Sequence, residues 1–192
     1  MAKVTPSELK LGGRLALAAA VLTLAALVPA VAVQSEPGAP LREEFKLAYL
    51  LIIALITAAT VQAYLIFDKA LESLFSFHKA RLLILALVGI NAAMLGLETF
   101  LTLRNLNQQY QELQLVVILV YALLGIKLGL RLLGLENDLH GLRKPLCWLM
   151  IAEGLCLGTV VLAPVSILVN TAMMAVLGLV LLRSAGAGVQ EG

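Results

Sequence analysis

Three ionisable side chains interrupt long apolar stretches of the chain, where a charge is costly. They are Lys127, Glu153 and Glu98, each surrounded by residues suited to the interior of a bilayer. A charged group deep in a transmembrane helix costs about 2.5 to 3.5 kcal/mol on insertion scales, so each of the three needs a partner. The chemistry open to such groups is ion pairing, or the transfer of protons and ions within the membrane.

Lys127 and Glu153 are expected to lie at the same depth in neighbouring helices. Each is about seven residues, or roughly 10 Å, from the cytoplasmic end of its helix. A connection of about eleven residues joins the two helices, which makes them antiparallel neighbours. A buried ion pair between Lys127 and Glu153 is one hypothesis, and a Lys127 that extends its long stem to the headgroups is the other.

Glu153 has a shorter stem than Lys127 and reaches the headgroups less easily. We therefore expect its carboxyl group to be paired, protonated or in contact with water inside the protein. Glu98 stands only about three residues from the outer end of its helix, where water can reach it at small cost.

Small residues lie opposite the charge on the predicted fourth helix. Gly125 and Gly129 are four residues apart, and both are about 160° around the helix from Lys127. Glycines at this spacing allow two helix backbones to approach closely. The sequence therefore places a packing face and a charged face on opposite sides of this helix.

The predicted third helix repeats this segregation. Asn91 and Glu98 share one face, while Gly89 and Gly96 share the opposite face. A helix with partners on both sides lies at the centre of a bundle, or between a bundle and a second subunit. The polar residues predicted to line a functional interior are then Asn91, Glu98, Lys127 and Glu153. Ordinary helix association, with isolated polar groups acting as interhelical contacts, is the alternative.

The histidines and cysteines form no catalytic or metal-binding motif. His78 and His140 both fall in cytoplasmic connections, so they cannot hold a haem between them inside the bundle. Cys147 and Cys156 lie on opposite faces of one helix, beyond disulfide reach. A metal site formed by the two histidine-bearing connections is one alternative. Otherwise we expect no metal, no cofactor and no catalytic residue.

The composition predicts the elements that position these residues. Hydrophobic residues make up 61% of the 192 positions and charged residues 14%, with a mean hydropathy of +0.97. Six segments of roughly 20 apolar residues have the length needed to cross a bilayer. We predict spans at residues 15–33, 47–67, 82–101, 115–134, 146–162 and 166–182. The predicted fold is an all-α polytopic integral membrane protein, six transmembrane helices in one bundle, with no soluble domain.

The basic residues predict the orientation of this bundle. When the connections are assigned to alternate sides, one side holds Lys3, Lys10, Arg14, Lys69, Lys79, Arg81, Arg131, Arg143, Lys144 and Arg183. Lys and Arg favour the cytoplasmic side, so both termini are predicted to be cytoplasmic and the protein to lie in the inner or plasma membrane. We expect the first span to be retained. A cleaved signal peptide is the alternative, because small residues follow its apolar run.

The absence of catalytic motifs favours a protein that acts through contacts. We predict a non-enzymatic small subunit, scaffold or accessory factor that associates with the lipid bilayer and with itself or another membrane protein. The alternative is a small transporter or channel with a polar interior around Lys127 and Glu153. A formal net charge of +2 is too small to favour nucleic acid as a partner.

Overall fold

The computed structural model describes residues 4–33, 43–104, 110–159 and 162–187, and within them the chain is all-helical. The six α-helices of this part are α1 (Pro6–Val33), α2 (Glu43–Phe75), α3 (Arg81–Arg104), α4 (Gln111–Leu133), α5 (Arg143–Gly158) and α6 (Ala163–Ala187). A short 3-10 turn, Leu139–Gly141, lies between α4 and α5. The prediction of an all-helical protein with a helix for each apolar segment is confirmed.

Five of these helices are long and apolar enough to cross a membrane, namely all except α5. The long runs of Leu, Ile, Val and Ala supply the apolar surface, and few charged residues interrupt them. The multi-pass character expected from composition therefore has a structural basis in the length of these helices.

The fifth helix differs from the span predicted at residues 146–162. It comprises 16 residues, which rise about 24 Å, less than the roughly 30 Å of a hydrocarbon core. Pro145 lies in its first turn, where a proline needs no N–H partner. Helix α5 ends at Gly158 and α6 begins at Ala163, so Pro164 lies in the first turn of α6 rather than in the break predicted at residues 163–165.

Consecutive helices pack against each other around a closed ring. Each helix contacts the next along the chain, and α6 returns to pack against α1 and, to a smaller extent, α2. Such a ring has an interior to which several helices contribute side chains.

Glycines bring α1 and α6 into backbone contact. A Cβ atom built on Gly13 would lie 2.9 Å from the carbonyl oxygen of Gly178, and one on Gly178 would lie 2.9 Å from that of Gly13. Both distances are too short for a side chain, so the two backbones meet directly. Gly12, beside this crossing, packs against Ile66 of α2. These glycines were not identified from the sequence.

Polar contacts join the helices at one end of the ring, called here the basic end. Lys69 pairs with Glu8 at 3.3 Å, so the first turn of α1 lies beside the end of α2. The side chain of Arg131 donates to the backbone carbonyl of Lys79, and that of Arg183 donates to the backbone carbonyl of His140. The start of α1 and the end of α6 therefore lie at the same end of the bundle.

The half of the bundle next to the basic end is filled with apolar side chains. Buried residues of this half include Phe67, Leu71, Ile84, Leu128, Leu132, Leu139, Leu146, Leu177 and Leu181. The opposite half, called here the Glu98 end, holds the larger cavity described below, and fewer of its described side chains are both apolar and buried. Among the described side chains, the apolar packing is therefore concentrated toward the basic end.

Candidate functional site

The fold of α5 turns Glu153 into the bundle. Leu146, Met150 and Glu153 are buried at three- and four-residue spacing, so they share the inward face of the helix. Gly154 fixes this rotation, because a Cβ atom there would lie 2.6 Å from the carbonyl oxygen of Ala122 on α4. Glu153 is 6% exposed and belongs to the interior rather than to the lipid-facing surface.

Glu153 lines a cavity of about 240 Å³ in the half of the bundle toward the Glu98 end. Five helices contribute to its wall, which consists of Thr23, Asn91, Met94, Ile118, Tyr121, Glu153, Leu157, Ser166, Ile167 and Asn170. The cavity combines one carboxylate with several neutral hydrogen-bonding side chains and an apolar remainder. This is the composition of a pocket that orients a small ligand with few polar groups.

A second, much smaller cavity continues from Glu153 toward the basic end. It measures about 10 Å³ and is lined by Tyr64, Met150 and Met173 among others. A space of this size is near the lower limit for a single water molecule. Tyr121 and Glu153 line both cavities, so these two side chains stand at the boundary between them.

The carboxylate of Glu153 has no hydrogen-bond donor and no ion-pair partner among the residues that the structure describes. Its polar neighbours are the hydroxyl groups of Tyr64 and Tyr121, which interact with it electrostatically. Leaving a buried polar group without a partner carries the full cost of its desolvation, and the cost is greater for a charged group. Of the three states expected for Glu153, pairing is not found within the described residues, while protonation and contact with water in the cavity stay predictions.

Lys127 does not take part in this arrangement, and the hypothesis of a buried ion pair with Glu153 is wrong. Its side chain is exposed on the outside of the ring. The glycine face of α4 turns toward α5 instead, where a Cβ atom on Gly129 would lie 2.9 Å from the carbonyl oxygen of Cys147. Because Lys127 is on the opposite face from Gly129, it points away from the interior and can extend to the headgroups.

We expect the Lys127→Gln variant to keep both the stability and the function of the wild type. The side chain has no partner in the interior, and surface substitutions of this kind change stability by no more than about 0.5 kcal/mol. Thermal unfolding in detergent and the liposome assay described below measure the two properties. A large loss of flux in a folded Lys127→Gln protein would contradict the outward placement of this residue.

Glu98 belongs to a separate hydrogen-bonded group near the opposite end from the basic residues. Its carboxylate accepts hydrogen bonds from Tyr49 of α2 at 3.2 Å, from Thr102 at 3.4 Å and from Gln114 of α4 at 3.3 Å. These contacts tie α2, α3 and α4 together. Glu98 does not line the cavity, and its place in the structure is that of a helix-joining group.

Asn91 does reach the cavity, as expected from its polar face. Its amide nitrogen donates to the backbone carbonyl of Leu87 at 2.9 Å, which holds the side chain against its own helix. The opposite face of α3 lies on the outside of the ring, since a Cβ atom on Gly89 or Gly96 would meet no atom within 4 Å. These two glycines do not pack against another helix of the described chain, in contrast to Gly129.

The histidine-bearing connections lie apart from this interior. His78 contacts Glu72 at 3.1 Å, and Arg81 contacts the same carboxylate at 3.2 Å. In the described ranges, no three side chains of His, Cys, Asp or Glu come close enough together to hold a metal ion. The alternative of a metal site formed by both connections therefore finds no support in the geometry.

Sequence reasoning missed several residues of the cavity, and one of them carried a usable signal. Tyr121 lies four residues before Gly125 and eight before Gly129, so it shares the face that packs against α5. Once that face of α4 is known to point inward, Tyr121 is predicted to point inward as well. Thr23 and Ser166 are isolated hydroxyl groups in apolar stretches, and no pattern distinguishes them.

Comparison of the chain with protein-family models, with curated proteins and with solved structures finds no match.

Proposed function

We propose that this protein binds a small polar solute in the Glu153 cavity and carries it across the membrane. The observation that carries the proposal is the unpartnered carboxylate, buried in a cavity of about 240 Å³ with polar groups from several helices around it. Ionisable residues inside a membrane bundle mark the pathways of substrates and ions. No catalytic chemistry is part of the proposal.

A purely structural role accounts less well for Glu153. Buried charges that stabilise a fold are paired and hydrogen-bonded, because removing a charge from water otherwise costs several kcal/mol. Glu98 has such partners and Glu153 does not. The difference between these two carboxylates supports a role for Glu153 in contact with a ligand.

The shape of α5 supports the same proposal. Transporters commonly place their binding sites near the middle of the membrane, where short or interrupted helices meet. Here α5 is the shortest helix of the described chain, and Leu157 near its end lines the cavity together with Glu153. The candidate site therefore lies beside the α-helix that is too short to cross a hydrocarbon core of about 30 Å.

We further propose that the basic end faces the cytoplasm and that the protein lies in the inner or plasma membrane. The ends that carry Lys69, Arg81, Arg131, Arg143 and Arg183 meet on one side of the ring. An excess of Lys and Arg favours the cytoplasmic side. The larger cavity then lies in the half of the bundle away from the cytoplasm.

An accessory or scaffold role is the second candidate function. The observation that favours it is the outward position of Gly89 and Gly96, which would let another helix approach α3 closely. Chemical crosslinking in native membranes separates the two proposals. A stable complex formed through α3, together with no solute flux, would favour the accessory role over transport.

Filling the cavity provides the direct test of transport. We expect the solute flux of the Asn170→Phe variant to be at least tenfold lower than that of the wild type. The phenyl group of the new side chain would occupy space in the cavity that the solute requires. Stopped-flow light scattering of proteoliposomes, with urea, glycerol, methylammonium and acetate as separate probes, measures the flux. The matched control is Leu168→Phe on the same helix, at a site that is 56% exposed on the outside of the ring.

Two outcomes would contradict the proposal. In one, wild-type proteoliposomes carry none of the four solutes faster than empty liposomes. In the other, the folded Asn170→Phe protein retains the wild-type flux, which would show that the cavity is not on the path.

A further inference from the structure

We infer that the ligand of the Glu153 cavity is a small organic monocation, of the ammonium or guanidinium class. This inference rests on the proposed function, since it names the chemical class that the proposed site takes. The positive charge would lie against the carboxylate of Glu153, and the organic part would lie among the apolar residues of the wall.

The charge of the cavity wall supports a cation. Glu153 is the one carboxylate among the ten described residues that line it, and none of those ten is a Lys, Arg or His. Lys127 points outward, and the buried Lys46, in the half of the bundle toward the Glu98 end, is not among the residues that line the cavity. A single cation would provide the missing partner of the buried carboxylate, whereas an anion would be repelled by it.

The neutral polar groups of the wall are suited to N–H donors. The side-chain oxygens of Asn170 and Tyr121 belong to the same cavity as Glu153, and amide and hydroxyl oxygens accept hydrogen bonds from ammonium or guanidinium groups. The ring of Tyr121 offers a further attraction, because a cation near an aromatic face interacts with the electrons of the ring.

The apolar part of the wall favours an organic cation over a divalent metal ion. Met94, Ile118, Leu157 and Ile167 supply a large share of the lining. Calcium requires six to eight oxygen ligands, and magnesium requires near-octahedral oxygen geometry, which a wall with a single carboxylate does not supply. A volume of about 240 Å³ also lies below the range of about 300 to 1,000 Å³ typical of drug-sized ligands, so the cation is small.

Charge-selective thiol labelling tests the inference in the full-length protein. Ser166→Cys is introduced after Cys147 and Cys156 have been replaced by alanine, and the protein is reconstituted in liposomes. Two methanethiosulfonate reagents are compared, one with a trimethylammonium group and one with a sulfonate group. Leu168→Cys, which faces the lipid two residues away, is the control for labelling outside the cavity.

We expect the cationic reagent to label Ser166→Cys faster than the anionic one, relative to their rates with a free thiol in solution. Adding Glu153→Gln should reduce that normalised rate ratio about tenfold or more, because a unit charge that lines the same poorly solvated cavity acts strongly on a charged reagent. The ratio does not depend on how much of the thiol is ionised, since the same thiolate attacks both reagents.

The outcomes separate the inference from the proposed function. Labelling by both reagents with equal normalised rates, or a ratio unchanged by Glu153→Gln, would overturn the cation assignment while leaving a solute-accessible cavity. Labelling by neither reagent would overturn both, because the cavity would then be closed to solutes from water. A protein that loses its fold on the Ser166→Cys change is replaced by Asn170→Cys, which lines the same cavity.

Discussion

The Glu153→Gln variant is expected to show a solute flux at least tenfold lower than that of the wild type while remaining at least as stable. Glutamine has nearly the same shape but carries no charge, so the attraction for a cation disappears. Because Glu153 has no partner among the described residues, the substitution breaks no contact, and it removes a group that is costly to bury. Proteoliposome flux and thermal unfolding in detergent measure the two effects.

The matched control for this experiment is Glu98→Gln. Glu98 is a second intramembrane carboxylate, but it accepts hydrogen bonds from Tyr49 and Gln114 and does not line the cavity. Its substitution is expected to lower the stability modestly, by about 1 kcal/mol for weakened hydrogen bonds, and to leave the flux unchanged. Loss of stability in Glu153→Gln with unchanged flux would reverse the roles that we assign to the two residues.

The Gly154→Ala variant is expected to show the largest loss of stability among single-methyl substitutions on α5. Its Cβ atom would lie 2.5 Å from a carbon of Ile126 and 2.6 Å from the carbonyl oxygen of Ala122. The side chain of Ile126 can move, but the backbone oxygen cannot move unless the two helices separate. Overpacking of this kind typically costs about 1 to 3 kcal/mol, and separating α4 from α5 also disturbs the wall at Tyr121.

Gly158→Ala is the control for this substitution, on the same helix and one turn later. A Cβ atom there would meet nothing within 4 Å, so we expect a stability equal to that of the wild type or slightly above it. Thermal unfolding and the yield of monodisperse protein measure the difference between the two variants. Equal stability of Gly154→Ala and Gly158→Ala would contradict the close packing of α4 on α5.

Much of the fold could be predicted from the sequence because each helix has an apolar run of its own. The predicted spans leave residues 163–165 as the break between the last two helices, but in the structure α5 ends at Gly158 and α6 begins at Ala163. Apolar residues continue through this region, and a proline is equally compatible with a turn and with the first turn of a helix. Periodicity and composition do not decide between these two positions.

The rotation of the helices could be predicted only in part. On α3 and α4 the sequence separates glycines from polar residues, but it does not say which face turns inward. The structure resolves the two helices in opposite ways: Asn91 faces the cavity on α3, whereas on α4 the face of Gly129 packs inward and Lys127 points out. The stem of lysine is long enough to reach the headgroups, so burial of the glycine face costs little there.

Two residues of the candidate site, Glu153 and Asn91, could be predicted from the sequence, and most of their surroundings could not. A carboxylate in an apolar helix is conspicuous in a sequence, but Thr23 and Ser166 are common in membrane helices and become significant only when five helices place them around one space. The cavity is a property of the closed ring, which brings together residues more than 140 positions apart in the chain.

A cysteine scan along α5 tests most directly whether Glu153 faces an accessible interior. Single cysteines at Glu153, Leu155 and Leu157, in a protein without Cys147 and Cys156, are treated with a small water-soluble thiol reagent in liposomes. The positions of Glu153 and Leu157 line the cavity, whereas Leu155 is 56% exposed on the outer surface of the ring. We expect labelling at 153 and 157 and none at 155, because a thiol in contact with lipid does not ionise. Labelling of the cysteine at position 155 without labelling at position 153 would place the Glu153 carboxylate against lipid and contradict the proposed site.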